Sequence, residues 1–136
     1  MKETVYLITP FLAWLVTGIT KFLFNSFKAQ RLAFDLIGYG GMPSNHSAIV
    51  FSSATLIALI EGIDHPAFGV AVTLAFIVML DATSLRQKIG LQASAINEID
   101  SRFKLRERMG HTKLEITVGG LTGSLCALLV YFALYA

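Results

Sequence analysis

Two histidines and one glutamate are the residues of this sequence best suited to nucleophilic or acid–base chemistry. His111 and Glu115 are four positions apart, a spacing that puts two side chains on one face of a helix. A carboxylate placed in this way holds an imidazole in one tautomer and stabilises it when it is charged. His46 stands at the start of an apolar run, where helix capping does not explain it. Each feature alone also fits a structural role. A catalytic site is therefore a hypothesis that requires both the His111–Glu115 pair and His46.

The segment before His46 has the composition of an anion-binding helix start. The paired glycines at 40–41 interrupt a helix and Pro43 suits a first turn, so a helix is predicted to begin near Ser44. Free backbone N–H groups and the helix dipole bind phosphate at such a position. Ser44 and Asn45 are candidate phosphate ligands, and ordinary helix caps are the alternative.

Charged residues at the ends of the apolar runs are candidate partners for the same anion. Asp81 follows an uncharged stretch, and Arg86 is five positions further on. An ionisable residue near the hydrocarbon edge is usually paired or functional, and a simple ion pair at a helix end is the alternative. For the other cations, a role in setting the membrane topology or in attracting anionic lipid is an equally good explanation. They are Lys21, Lys28, Arg102, Lys104, Arg106 and Arg108.

The elements that position these residues belong to a very apolar chain. Of its 136 residues, 54% are hydrophobic and 15% are charged, whereas typical globular domains have roughly 25% charged residues. The mean hydropathy is +0.64. A net charge of +2 gives no reason to expect nucleic acid as a partner, and the single cysteine, Cys126, excludes an internal disulfide. We therefore expect an integral membrane protein with one domain, residues 1–136.

The uncharged runs predict an all-α membrane bundle. Apolar residues also recur every three or four positions in the connection before the last run, which predicts an amphipathic interfacial helix. These residues are Leu85, Ile89, Ala93, Ile96, Ile99 and Phe103. The four transmembrane helices are predicted near residues 4–25, 44–62, 66–84 and 114–135.

The distribution of charge predicts the orientation of the bundle. Four helices put the first and third connections on one side, and these connections are rich in lysine and arginine. The second connection carries Glu61 and Asp64 instead. The positive-inside rule then puts both termini outside and the polar residues at the cytoplasmic face. Their convergence there describes a site for a phosphate carried on a lipid. The spacing of histidine and carboxylate matches no metal motif, so no metal or cofactor is expected.

Three motifs together resemble the divergent branch of the type 2 phosphatidic acid phosphatase superfamily. This branch consists of small bacterial and plant membrane proteins related to acid phosphatases and vanadium-dependent haloperoxidases, so a bacterial plasma membrane is the expected location. The motifs are Gly-Gly-Met-Pro-Ser-Asn-His-Ser-Ala at 40–48, Asp-Ala-x-x-x-Arg at 81–86 and Gly-His-Thr-x-x-Glu at 110–115.

The resemblance implies a phosphatase that acts on a membrane lipid phosphate or pyrophosphate. His111 would be the nucleophile that forms a phosphohistidine, Glu115 would orient it, and His46 would protonate the leaving oxygen. The residues implied to bind the phosphate are Lys21, Lys28, Ser44, Asn45, Arg86 and Arg106, with Asp81 in support.

The sequence departs from the superfamily signature, which reads Lys-x6-Arg-Pro, Pro-Ser-Gly-His and Ser-Arg-x5-His-x3-Asp. Lys28 replaces an arginine, whose planar two-pronged grip on phosphate lysine lacks. Asn45 replaces a glycine, and a glutamate replaces the final aspartate. Leu105 stands where an arginine is expected, so Arg106 or Arg108 must supply it. These departures favour an alternative function, a binding or transport protein for lipid phosphates that has lost the chemistry.

The number of helices raises the question of a second copy of the chain. The superfamily core has six helices, and fewer are predicted here. A partner copy could complete the pocket, and Gly119 and Gly123 form a small-residue packing motif. A homo-oligomer is therefore a further expectation.

Overall fold

The computed structural model describes residues 4–34 and 41–135. These residues contain five α-helices and no β-strand, so the predicted all-helical fold is confirmed. A π-helical turn, Asp81–Leu85, joins the third helix directly to the fourth. The helices are α1 (Thr4–Ala29), α2 (Asn45–Ile60), α3 (Pro66–Leu80), α4 (Arg86–Ile99) and α5 (Lys113–Tyr135).

Three helical stretches in the described part of the chain are long and apolar enough to cross a membrane. They are α1, α5 and the continuous stretch Pro66–Ile99. The remaining apolar helix, α2, is shorter, at 16 residues. Each of the four predicted spans therefore corresponds to an apolar helix.

The connection after the third span differs from its prediction as a separate surface helix. Its helix is present as α4, but it continues α3 without interruption because no glycine or proline in Asp81–Leu85 ends the helix. The predicted apolar stripe contributes only Ala93 to the buried residues, while Ile96 is 41% and Ile99 is 86% exposed. The stripe therefore faces away from the other described helices, as a face in contact with lipid would.

The central helix is α2, which packs against α1, α3 and α5. Gly119 and Gly123 of α5 lie directly against the backbone of Ser44 and Ala48, and a Cβ atom at either glycine would overlap that backbone. Glycine is required here because it lets two helix backbones approach closely. The small-residue face expected to contact a second copy is therefore buried within the chain.

The ends of α1, α2 and α5 are held together on the side away from His46. The Tyr6 hydroxyl donates a hydrogen bond to the Glu61 carboxylate. A small core of Val5, Leu56 and Ala127 is buried beside it. This end of the bundle fixes the helices that carry the polar residues at the other end.

Candidate functional site

A cavity of about 540 Å³ lies at the end of the bundle where α2 begins. Five segments that are distant in the sequence contribute to it, so the predicted convergence of the motifs is present in the structure. The polar lining residues are Lys21 and Asn25 of α1, Asn45 and His46 of α2, Arg86 of α4, and Arg106 and His111 before α5. The large apolar lining residues are Trp14, Leu15, Ile19 and Phe22 of α1, with Phe34, Ile49 and Met109.

His111 and Glu115 form the predicted pair, with His111 Nδ1 3.3 Å from Glu115 Oε2. His111 precedes α5, whereas Glu115 lies in its first turn. The same carboxylate oxygen accepts a hydrogen bond from the Thr112 N–H at 2.9 Å, and the Glu115 N–H donates to Thr112 Oγ1 at 3.2 Å. This reciprocal arrangement is a capping box. One carboxylate therefore both starts the helix and orients the imidazole.

The surroundings of His111 favour its neutral form. Its side chain is 7% exposed. Burial lowers the pKa of His111 below its usual value and the positive charge of Lys21 acts in the same direction, while the hydrogen bond to Glu115 opposes them. A carboxylate beside Nδ1 keeps the proton of the neutral ring on that atom and leaves the lone pair on Nε2. An imidazole in this form has the free lone pair that nucleophilic attack requires.

His46 faces the same cavity from the first turn of α2. The centroids of the His46 and His111 rings are 6.0 Å apart, and the ring planes meet at 61°. His46 Nδ1 is buried and has no hydrogen-bond partner among the described residues. The two histidines therefore reach one space from separate elements, which is the arrangement that a nucleophile and its proton donor require.

The π-helical turn positions residues on two sides of the cavity. Arg86 follows the turn, and its Nε donates to Asp81 Oδ2 at 2.6 Å. The His111 N–H donates to the Ala82 carbonyl at 3.1 Å. Gly110 packs against Ala82 with a φ of +83°, a conformation that favours glycine. The turn thus holds both a cation and the backbone of the candidate nucleophile, and π-helical turns are frequent at functional sites.

Residues 100–112, here called the return segment, run back along α4 to the start of α5. Asn97 binds this segment through Leu105: its Nδ2 donates to the Leu105 carbonyl at 2.8 Å, and its Oδ1 accepts from the Leu105 N–H at 2.7 Å. The carbonyl of Glu107 lies against Gly90, where a Cβ atom would overlap it. Arg106 stands between these two attachments, so they determine where it enters the cavity.

Two predicted phosphate ligands do not line the cavity. Lys28 is exposed near the end of α1. Ser44 is fully buried, and its hydroxyl caps α2 by accepting a hydrogen bond from the Ser47 N–H at 3.4 Å. The Ser44 N–H donates to the Glu115 carbonyl at 3.0 Å. The polar groups of Ser44 are therefore taken up by protein partners, which corrects its predicted place at the phosphate. Gly40 of the same motif lies outside the described residues.

The first helix contributes more of the cavity than the sequence analysis predicts. Trp14, Gly18 and Asn25 share the face of α1 that carries Lys21, because residues three or four positions apart lie on one side of a helix. The available signal was Asn25, a polar residue one turn after Lys21 in a mostly apolar helix. The role of Asn97 is not predictable from spacing either, since it depends on a partner eight residues away.

The chemistry that the lining can support is the binding and transfer of an anionic group. Lys21, Arg86 and Arg106 supply positive charge beside the two histidines. Among residues 4–34 and 41–135, no three His, Cys, Asp or Glu side chains are grouped as metal ligands would be. The apolar side of the same cavity suits a ligand that carries hydrocarbon next to its charge.

Comparisons with known proteins identify the family of the chain. The family model described as the divergent PAP2 family matches residues 2–126, which include all three motifs. The chain is similar to the uncharacterized membrane protein YuiD of Bacillus subtilis (strain 168), with 33% identity over 148 aligned positions that cover 93% of this chain and 94% of the relative. No solved structure matches the chain. The chain is therefore a phosphatase-related membrane protein that belongs to the divergent PAP2 family.

Proposed function

We propose that the protein hydrolyses a phosphomonoester or pyrophosphate carried on a membrane lipid. The observation that carries the proposal is a buried imidazole, His111, which a carboxylate orients and which shares one cavity with His46 and three cations. Membership of a phosphatase-related family supports the same reaction class. A site at the cytoplasmic face, with both termini outside, stays a prediction from the charge distribution.

The first chemical step is a transfer of the phosphoryl group to His111. Its Nε2 lone pair attacks phosphorus to form a P–N bond, and the bond between phosphorus and the leaving oxygen breaks. His46, protonated at the start, gives its proton to that oxygen. Positive charge grows on His111 as the bond forms, and the adjacent Glu115 carboxylate stabilises it.

The second step returns the enzyme to its starting state. A water molecule attacks the phosphohistidine while the neutral His46 accepts one of its protons. The P–N bond breaks, inorganic phosphate leaves, and His111 is again a neutral imidazole. His46 is protonated once more, so the two histidines complete a balanced cycle.

The cations stabilise the charge that the phosphoryl oxygens carry during both steps. Lys21 and Arg106 approach the cavity from α1 and from the return segment, and Arg86 is oriented by Asp81. Positive groups that are already in place when charge develops lower the barrier without the cost of reorganisation.

The proposal is tested by phosphate release from detergent-purified protein. The substrates are phosphatidate, phosphatidylglycerophosphate and a polyprenyl pyrophosphate. We expect release from at least one of them, and a loss of about a thousandfold or more in His111→Ala. His65→Asn is the matched control, because His65 is exposed, lies at the start of α3 and is absent from the cavity lining. Release that survives in His111→Ala would overturn the assignment of the nucleophile.

The alternative function, binding or transport of a lipid phosphate, gives a different result in the same assay. It predicts saturable binding of these lipids to folded protein, no phosphate release, and binding that is insensitive to His111→Ala. The departures from arginine in the family signature, such as Lys28, motivate this alternative.

A further inference from the structure

One wall of the cavity is apolar and is built mainly by α1. Trp14, Leu15, Ile19 and Phe22 line it on one side of the helix. Lys21 lies on the same helix, seven residues after Trp14, which corresponds to about 10 Å along the helix axis. The wall therefore extends from the cationic end of the cavity toward the middle of a helix long enough to cross a membrane.

The same wall is only half covered by protein. Trp14, Leu15 and Ile19 are each 51% exposed although all three line the cavity. In a membrane-spanning helix these exposed faces meet lipid rather than water. The cavity therefore joins a charged end to a side that hydrocarbon reaches directly from the bilayer.

From these observations we infer that the wall on α1 is a subsite for the hydrocarbon chain attached to the phosphate. The chain lies against Trp14 and Phe22 while its phosphate reaches Lys21, and the lipid enters sideways from the bilayer. Lipid tails are as apolar as the wall, so binding at the subsite depends on the position and shape of the hydrocarbon chain rather than on its hydrophobicity. This inference rests on the proposed function because it uses the same phosphate site, but it does not require that the phosphate is hydrolysed.

The sole tryptophan of the chain makes the test direct. Because Trp14 is that tryptophan and lines the cavity, the fluorescence of the intact protein reports contact with the wall. The probe is a brominated hexadecylphosphonate, whose bromine quenches tryptophan and whose C–P bond is not hydrolysed. We expect saturable quenching in detergent, with only a linear background from the brominated hexadecyl alcohol. Identical curves for the two probes would overturn the inference.

A matched pair of phenylalanines on α1 sharpens the test. Phe22 lines the cavity, whereas Phe24 is 47% exposed and is not among the lining residues. We expect Phe22→Ala to weaken phosphonate binding by about three- to tenfold, as the loss of an aromatic packing partner predicts. Phe24→Ala should bind as the unmodified protein does. Equal weakening in both variants would contradict the subsite.

Folding and catalysis are separated from this result by two further measurements. Phe22→Leu keeps an apolar side chain and should recover most of the binding, which a folding defect in Phe22→Ala would not predict. Phosphate release without saturable quenching by the phosphonate would leave the proposed function standing and remove the subsite. Saturable quenching by the phosphonate without any phosphate release would do the reverse.

Discussion

The two sides of the cavity are constructed in different ways. On the α2–α5 side, Gly119 and Gly123 put one helix backbone directly against another. On the α4 side, hydrogen bonds from Asn97, and to Ala82 and Asp81, hold the return segment and the π-helical turn. The first side positions His46 and Glu115, and the second positions Arg86, Arg106 and the backbone of His111.

This difference separates stability from alignment. Backbone contact leaves no room for a side chain, so a substitution there must move whole helices. The hydrogen bonds on the α4 side are individually worth about 1 kcal/mol, and several lie at exposed residues. Damage to the α2–α5 side should therefore unfold the protein, and damage to the α4 side should leave it folded with a misaligned site.

The largest effect is expected at the α2–α5 contact. Gly123→Val should lower the free energy of unfolding by about 3 kcal/mol or more, because its side chain would overlap the backbone of Ala48. Thermal unfolding in detergent measures the loss. Gly69→Ala in α3 is the control, since a Cβ atom there meets nothing within 4 Å. Similar unfolding temperatures for the two variants would show that the contact is not tight.

The next effect tests the opposite side of the cavity. Asn97→Ala should reduce phosphate release by about tenfold while the unfolding temperature changes little, because Arg106 loses the attachment at Leu105. Gln92→Ala, an exposed position on the same helix, is the control and should keep full activity. A large fall in the unfolding temperature of Asn97→Ala would contradict the claim that the α4 side aligns the site without stabilising the fold.

The pH dependence of phosphate release tests the electrostatics of His111. Because burial lowers its pKa, the nucleophile stays neutral at neutral pH, and the acidic limb of the activity profile should lie below about pH 6.5, the ordinary histidine value. The unfolded chain binds this proton more tightly than the folded protein. The contribution of His111 to the free energy of unfolding is therefore fully present above that pH and decreases as the pH falls toward the lowered pKa. Unfolding temperatures across the same range measure this loss.

A variant of Glu115 tests whether its carboxylate affects the pKa of His111. The Glu115 carboxylate raises the pKa of His111 against the effect of burial. Glu115→Gln should therefore shift the acidic limb of the activity profile to still lower pH, in addition to reducing the rate. A shift to higher pH would mean that the carboxylate does not act on His111 as the geometry indicates.

The smallest effect is expected from the ion pair in the π-helical turn. Asp81→Asn should lower kcat/KM by only about threefold, because the Asp81 and Arg86 side chains are each 35% exposed and such pairs contribute little. Asp100→Asn, which disturbs the exposed pair with Arg102, is the control. A hundredfold loss in Asp81→Asn would assign that carboxylate a direct part in the reaction.

The sequence predicts the helices and the meeting of the motifs because both follow from long uncharged runs and from charge at their ends. His46 and His111 are 65 positions apart, yet a four-helix topology already puts them at one membrane face. The His111–Glu115 pair was likewise predictable from its spacing. The two residues do not share a helix face, however, because His111 precedes α5 and the capping box at Thr112 holds Glu115 beside it.

Other features depend on tertiary structure that residue types do not specify. The π-helical turn at Asp81–Leu85 is a change of backbone register, and no residue in it is diagnostic. The glycine pair Gly119 and Gly123 has the same sequence whether its partner helix is α2 or belongs to a second copy. The attachment of Leu105 to Asn97 requires the return segment to be folded back first.

The length of α2 has a consequence for the surrounding bilayer. This helix has 16 residues and is therefore about 24 Å long, whereas the hydrocarbon core of a typical bilayer is about 30 Å thick. A helix this short is accommodated by local thinning of the bilayer, by snorkelling of flanking residues or by association with other helices. We expect thinning beside α2 to bring lipid phosphates closer to the level of His46, so that bilayer thickness becomes a variable that sets how easily they reach it.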